Sequence, residues 1–220
     1  MGPTENVHLI LASQSPRRRE LLEQAGFALT VAPADIDETR REAESPVELV
    51  GRLARQKARA VLSRLLDGTD GARALVAADT IVWDDDGEVL GKPADDADAA
   101  RMLRELSGRT HHVSTGACLL APDQAVAGGA RETYFVETTD VTFWELTETE
   151  VAAYVASGEP RDKAGAYGIQ GAGRLLVRSI RGDYQNVVGL PVSRLVRELG
   201  SLIGEKDLVA RAIEKGGPLA

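Results

Sequence analysis

One cysteine, Cys118, stands in a chain of 220 residues, which excludes an intramolecular disulfide framework and suits a reducing compartment. Histidine is nearly as scarce. His8, His111 and His112 have no cysteine or histidine neighbours at ligand spacing, so a zinc site is not expected. No apolar run approaches the ~20 residues that span a bilayer. The opening stretch, MGPTENVHLILASQSPRRR, puts its charges after a short apolar segment, the reverse of a secretory leader. Together these absences point to a soluble, cytoplasmic protein with no membrane partner.

Positive charge is also in deficit. The 26 Lys and Arg against 34 Asp and Glu leave a net charge of −8. Affinity for nucleic acid comes mainly from neutralising phosphates, so no nucleic acid partner is expected and any phosphate recognition must be local. What is present is ordinary globular composition, 43% apolar and 27% charged, enough for a core without staples. The length suits one large domain or two lobes sharing a core, and no repeat, low-complexity tract or linker divides it. A single domain over 7–203 followed by a charged tail over 204–220, a marginal helix or frayed end, is the expected organisation.

Strand and helix signals interleave along the chain. The apolar run 7–12 predicts a strand, followed by Ser15 as N-cap, Pro16 as first helical residue and Gly26 past the helix end. Residues 27–31 predict a second strand. Ser45, Pro46 and Glu48 form a capping box opening a helix with Val50, Leu53, Ala54, Val61 and Leu65 on one stripe. ALVAADTIVW, 74–83, reads as a buried strand because its apolar residues are nearly continuous. Asp86-Gly87 offers a hairpin turn. A helix over 95–107, strands over 113–120 and 132–144, a capped helix from Thr147, a strand over 175–180 and a helix over 191–199 follow. Two hairpins exclude a purely parallel sheet, and the architecture is α/β, a mixed β-sheet flanked by helices.

Several residues break these patterns. Helix first turns favour acidic side chains, yet Arg17, Arg18 and Arg19 crowd one here. An anion at that N-terminus, cradled by Ser13, Ser15 and free amides, would turn the cost into binding; three solvated arginines are the alternative. Asp79 and Thr80 interrupt an apolar strand, where a bare carboxylate is costly unless paired or bound to a cation, although a loop-capping role fits too. Lys57 lies on a stripe that should be buried, either reaching a partner or snorkelling at its edge. Lys92 follows the hairpin that leaves the Asp79 strand. The acidic run Asp35-Ile36-Asp37-Glu38 carries oxygen donors of the kind Mg²⁺ or Mn²⁺ takes, though solvated surface is the commoner reading. DKAGAYGIQG, 162–171, combines glycines that permit close ligand approach with Lys163, Tyr167 and Gln170, or is simply a flexible loop. GDYQNVVGLP, 182–191, reads as a turn, a short apolar run and a helix start.

Taken together, SQSPRRRELL, the DIDE stretch, RLARQKA, ADTIV, GKP, MLRELSGRTHHVSTG, DKAGAYGIQG and NVVGLP resemble, in order, the Maf family of nucleoside triphosphate pyrophosphatases. The resemblance runs from about Leu9 to Leu199. It implies two lobes around a central cleft, similar to the inosine triphosphatase-like fold, often assembled as a homodimer. It implies hydrolysis of a nucleoside triphosphate to the monophosphate and pyrophosphate with a divalent cation. Motif by motif, Asp79 would accept the proton of the attacking water or ligate the metal, and Glu38 would assist the metal. Ser13, Arg17, Arg18, Lys57 and Lys92 would hold phosphates. Arg17, Thr80 and Gln170 match positions tied to substrate choice. The AYGIQG form resembles the branch acting on dTTP and UTP, with possible extension to modified pyrimidine triphosphates. The alternatives are the branch acting on 7-methylguanosine triphosphate and a nucleotide-binding regulator of septum formation.

Overall fold

The computed structural model describes residues 7–68 and 70–216. Residues 1–6 and 217–220, on which the leader and tail expectations partly rest, lie outside that description. Strand β1 (His8–Leu11) leads into α1 (Pro16–Gln24) and β2 (Ala28–Val31); α2 (Pro46–Ala60) and α3 (Leu62–Leu66) precede β3 (Ala74–Trp83), which turns into β4 (Val89–Leu90). Then come α4 (Asp96–Leu106), the long hairpin of β5 (Thr110–Pro122) and β6 (Ala130–Phe143), and α5 (Glu148–Ala156). Three short 3-10 turns within 159–175 lead to β7 (Val177–Arg181), α6 (Tyr184–Val188), α7 (Val192–Ile203) and α8 (Leu208–Lys215). The mixed seven-stranded sheet has the order β2-β1-β3-β5-β6-β7, with β4 on β3. Pairing is parallel where β1 meets β2 and β3, and antiparallel from β3 onward. Among the described residues no helix is long and apolar enough to cross a membrane.

The capping residues act as their chemistry predicts. Ser15 accepts from the Arg18 amide ahead of Pro16, and both Ser45/Glu48 and Thr147/Glu150 close as reciprocal capping boxes. Gly26 takes φ +84° immediately after α1, a conformation that costs other residues strain.

Side chains alternate across β3 and so feed two faces. On one face Leu75 and Ala77 pack beneath α2 and α3, and Ile81 joins Leu49 and Leu53 of α2. On the other, Val76 and Ala78 meet α1 and α7, and Val82 meets α4 and α5. Each face therefore holds two apolar clusters, and Asp79 and Thr80 mark the level between them. This is how two lobes share one sheet. The same level is a notch: β1 pairs with β3 only along Ala74–Val76 and β4 only along Val82–Trp83. Among the described residues no strand covers that edge of β3 between them.

Two expectations are corrected, and of the two readings of the tail the helical one holds over its described part. The short apolar run in 182–191 is helix α6, initiated by Asp183 accepting from the Gln185 amide. The 162–171 segment carries 3-10 turns, with Gly165, Ala166, Tyr167 and Ile169 buried, rather than a loose loop. The charged tail is not frayed over its described part: α8 buries Leu208 in the main core, and a Cβ at Gly26 would lie 2.8 Å from Lys215 Cβ.

Candidate active site

The notch opens into a cleft of about 860 Å³, within the range of small-molecule sites. Ser13, Arg17, Arg18, Glu38, Lys57, Asp79, Thr80, Lys92 and Gln170, the residues singled out in the sequence, all line it. Five cations (Arg17, Arg18, Lys57, Lys92, Lys163) face three carboxylates (Glu38, Asp79, Asp162), so a chain of net charge −8 carries a local excess of two positive charges here.

One wall is a carboxylate–ammonium–carboxylate chain. The last turn of α2 places Lys57 one turn beyond Leu53, on the face packed against β3. Its Nζ lies 2.6 Å from Asp79 Oδ1 and 2.6 Å from Glu38 Oε1. The Lys57 and Asp79 side chains are each only 12% exposed, so each offsets the other's cost of burial. The acidic run divides its labour. Ile36 packs against the α2–β3 cluster, Asp37 accepts from the Thr39 amide at 2.9 Å, and Glu38 alone reaches the cleft.

The opposite wall is the start of α1. Successive residues on a helix point ~100° apart, and the three arginines separate accordingly. Arg19 faces solvent and pairs with Glu23 at 2.8 Å. Arg17 opens to the cleft, 3.8 Å from Asp162. Arg18 is buried, donating through Nε to the Gly189 carbonyl at 2.9 Å, through one terminal nitrogen to Ser13 Oγ at 3.1 Å and through the other to Thr80 Oγ1 at 2.8 Å. Burial pulls its pKa below the usual guanidinium value, and the Asp79 charge opposes that pull. Thr80 also bonds Thr115 across the β3–β5 register at 2.9 Å. Arg18 thus joins the loop before α1, the centre of β3 and the turn after α6.

Lys92 and Gln170 stand exposed on the rim, and among the described residues neither is held by a hydrogen bond or ion pair. Tyr167, three residues before Gln170, is anchored by its hydroxyl to His111 Nε2 at 2.8 Å, and Ile169 packs into the main core.

Among the described residues no group of three or more His, Cys, Asp or Glu side chains forms an all-protein metal cage. Asp79 and Glu38 touch Lys57 through one oxygen each. Their second oxygens are the donor type that a hard cation takes when phosphates complete its shell. The donor set therefore fits Mg²⁺ or Mn²⁺ arriving with a polyphosphate.

Sequence reasoning passed over Asp162, which bonds Lys163 at 2.7 Å and faces Arg17, and over the Gly189 carbonyl that orients Arg18. A charged pair opening a glycine-rich segment was the available signal for the first. A backbone carbonyl leaves none.

A family model described as Maf-like protein matches residues 8–202. A dTTP/UTP pyrophosphatase of Bacillus cereus (strain AH820) is 51% identical over 191 residues, covering 87% of this chain and 93% of that one. One from Bacillus anthracis shows the same identity and coverage. Among solved structures, a HAM1 protein from Coxiella burnetii aligns over 89% of this chain and 99% of its own, at 16% identity and a TM-score of 0.47.

Proposed function

The chain belongs to the Maf family, and from that premise we propose that it hydrolyses dTTP and UTP to the nucleoside monophosphate and pyrophosphate. The observation that carries the reading is the Lys57 ammonium held between Asp79 and Glu38, facing the arginine-bearing start of α1 across a nucleotide-sized cleft. Relatives of about half-identical sequence bear the name dTTP/UTP pyrophosphatase, which supports the same substrates.

Arg17 and Lys92, the accessible cations, take the outer phosphate oxygens. Ser13 and the Arg17 amide hold a further phosphate, since Pro16 has no N–H and the Arg18 amide is capped by Ser15. Arg18 acts mainly by fixing Ser13 and Thr80, since three of its N–H groups are already committed. Lys57 turns part of its charge from the carboxylates to the phosphate chain as substrate enters. Asp79 orients a water and takes its proton while the water oxygen bonds the α-phosphorus. The bond from that phosphorus to the bridging oxygen breaks, and pyrophosphate leaves with the bridging oxygen. Asp79 and Glu38, together with phosphate oxygens, would hold the divalent cation, which supplies further neutralisation of the phosphates. Gln170 meets the pairing edge that thymine and uracil share, while Arg17 and Thr80 set where the nucleotide sits.

Incubation with a panel of nucleoside triphosphates and Mg²⁺ or Mn²⁺ tests this directly. Monophosphate and pyrophosphate are expected, fastest from dTTP and UTP. Release of orthophosphate and diphosphate would place attack at the terminal phosphorus and overturn the proposal.

A further inference from the structure

Among the described residues Gln170 is held by no hydrogen bond, yet the backbone on both sides of it is tightly held. Before it, Ile169 is buried in the main core. After it, the segment closes on Glu159, just beyond the end of α5. Glu159 accepts from the Tyr154 hydroxyl at 2.9 Å, from the Ala172 amide at 2.8 Å and from the Gly173 amide at 3.4 Å. Tyr154 in turn accepts from the Gly168 amide at 3.1 Å. Packing is equally close. A Cβ at Gly171 would lie 2.4 Å from the Glu159 carboxylate oxygens, and one at Gly173 2.7 Å from the Tyr154 hydroxyl. Lys163 completes the grip, donating to the Glu159 carbonyl at 2.8 Å while its stem blocks any side chain at Gly168. Glu159 and Tyr154 do not line the cleft.

The chemistry of the bases gives this clamp a purpose. Uracil and thymine present an N–H donor beside a carbonyl acceptor on the pairing edge. Guanine presents the same donor and acceptor, but on the far side of a second ring. A Gln amide suits both equally, so it separates them only if its distance from the bound phosphates is fixed. We infer that Glu159, with Tyr154, is a positioning residue for substrate choice: the clamp sets how far Gln170 reaches and so favours uracil and thymine over guanine. The inference rests on the pyrimidine triphosphate reading above and assigns to it the residues that enforce the choice.

The test compares kcat/KM for UTP and for GTP in the full-length wild type, Glu159→Gln, Tyr154→Phe, Gln170→Ala and the Glu159→Gln/Gln170→Ala double variant. Glutamine keeps the volume of Glu159 but turns an N–H₂ group toward backbone donors, and Tyr154→Phe removes only the hydroxyl. The ratio of two specificity constants does not depend on the folded fraction, so partial unfolding cannot mimic the effect. Glu159→Gln should lower the UTP-to-GTP ratio about tenfold, the scale of one broken charge-assisted hydrogen-bond network. The change should appear mainly as a raised KM for UTP with kcat preserved, and Tyr154→Phe should act in the same direction. In the Gln170→Ala background Glu159→Gln should not move the ratio further. A ratio unchanged in Glu159→Gln or Gln170→Ala, or additive effects in the double variant, would overturn the clamp while leaving the pyrophosphatase reading standing. A wild type that releases no pyrophosphate from UTP would overturn that reading and the clamp with it.

Discussion

Asp79 lies among Ala77, Ala78 and Ile81, all buried, and its carboxylate pairs with the Lys57 ammonium 2.6 Å away. Asp79→Asn preserves shape and the capacity to accept a hydrogen bond but removes a proton acceptor. Turnover of dTTP is expected to fall at least ~100-fold, the usual scale for a lost general base, with affinity measured by calorimetry changed only a few-fold. Parallel loss of both would make Asp79 a binding residue. A septum phenotype that survived Asp79→Asn would belong to nucleotide binding and not to hydrolysis. Asp79 and Lys57 were legible in the sequence because each is a charge set in an apolar pattern, and such a charge must be paired. Glu38 and Lys92 were only weakly legible on those grounds, since surface charge is ordinary; an acidic run and a place after the β3 hairpin drew attention to them, and the family pattern gave them roles. The three arginines look alike as letters. Their division into cleft, interior and solvent depends on helix phase and on a carbonyl 171 residues away in the chain.

The element that sets the site is the packing of α2 on the sheet. Gly116 of β5 lies opposite Asp79 in register, and a Cβ there would fall 2.3 Å from the Val50 carbonyl oxygen of α2. Gly116→Ala must therefore lift α2 and carry Lys57 away from Asp79. It is expected to cost about 1–3 kcal/mol of stability, as overpacking does, and to lower kcat/KM as well. Ser45→Ala is the matched control. It removes the cap at the far end of the same helix, costing about 1 kcal/mol, and should leave kcat/KM unchanged. Urea melts and steady-state assays on both variants separate lost stability from lost geometry. The run 74–83 foretold β3 residue for residue, because a strand covered on both faces is continuously apolar. The notch beside it was not legible. It arises from how far β1 and β4 extend along β3, which is a matter of pairing between distant segments. The 162–171 segment misled for a related reason: its glycines read as flexibility, but they are small because Val82, Lys163 and Glu159 press against them.

Across the whole molecule, the core that joins the Gln170 segment to the sheet contains an ionisable group that folding keeps neutral. His111 is fully buried, edge-on to Phe143 and Tyr167, and burial lowers its pKa to about 3 from an ordinary 6.5. The sign follows from proton counting. Between those values the unfolded chain binds a proton that the folded chain refuses, so stability is complete above about pH 6.5 and declines as pH falls toward 3. The slope approaches ~1.4 kcal/mol per pH unit once the unfolded imidazole is fully charged. Glu44, lowered to about 2 by its hydrogen bonds to Arg52, also favours the fold, but its contribution is lost only as pH falls below about 4.5. The window between pH 6.5 and 4.5 therefore reports on His111. Urea midpoints should fall steadily across it for the wild type, and the fall should be flattened in His111→Phe. Because Tyr167 holds the ordered segment through His111, binding of a UTP analogue, which needs that segment in place, should raise the wild-type midpoint at pH 5 as well as at pH 7. A midpoint independent of pH in this window would mean that the imidazole is charged inside the fold, against the apolar surroundings seen here.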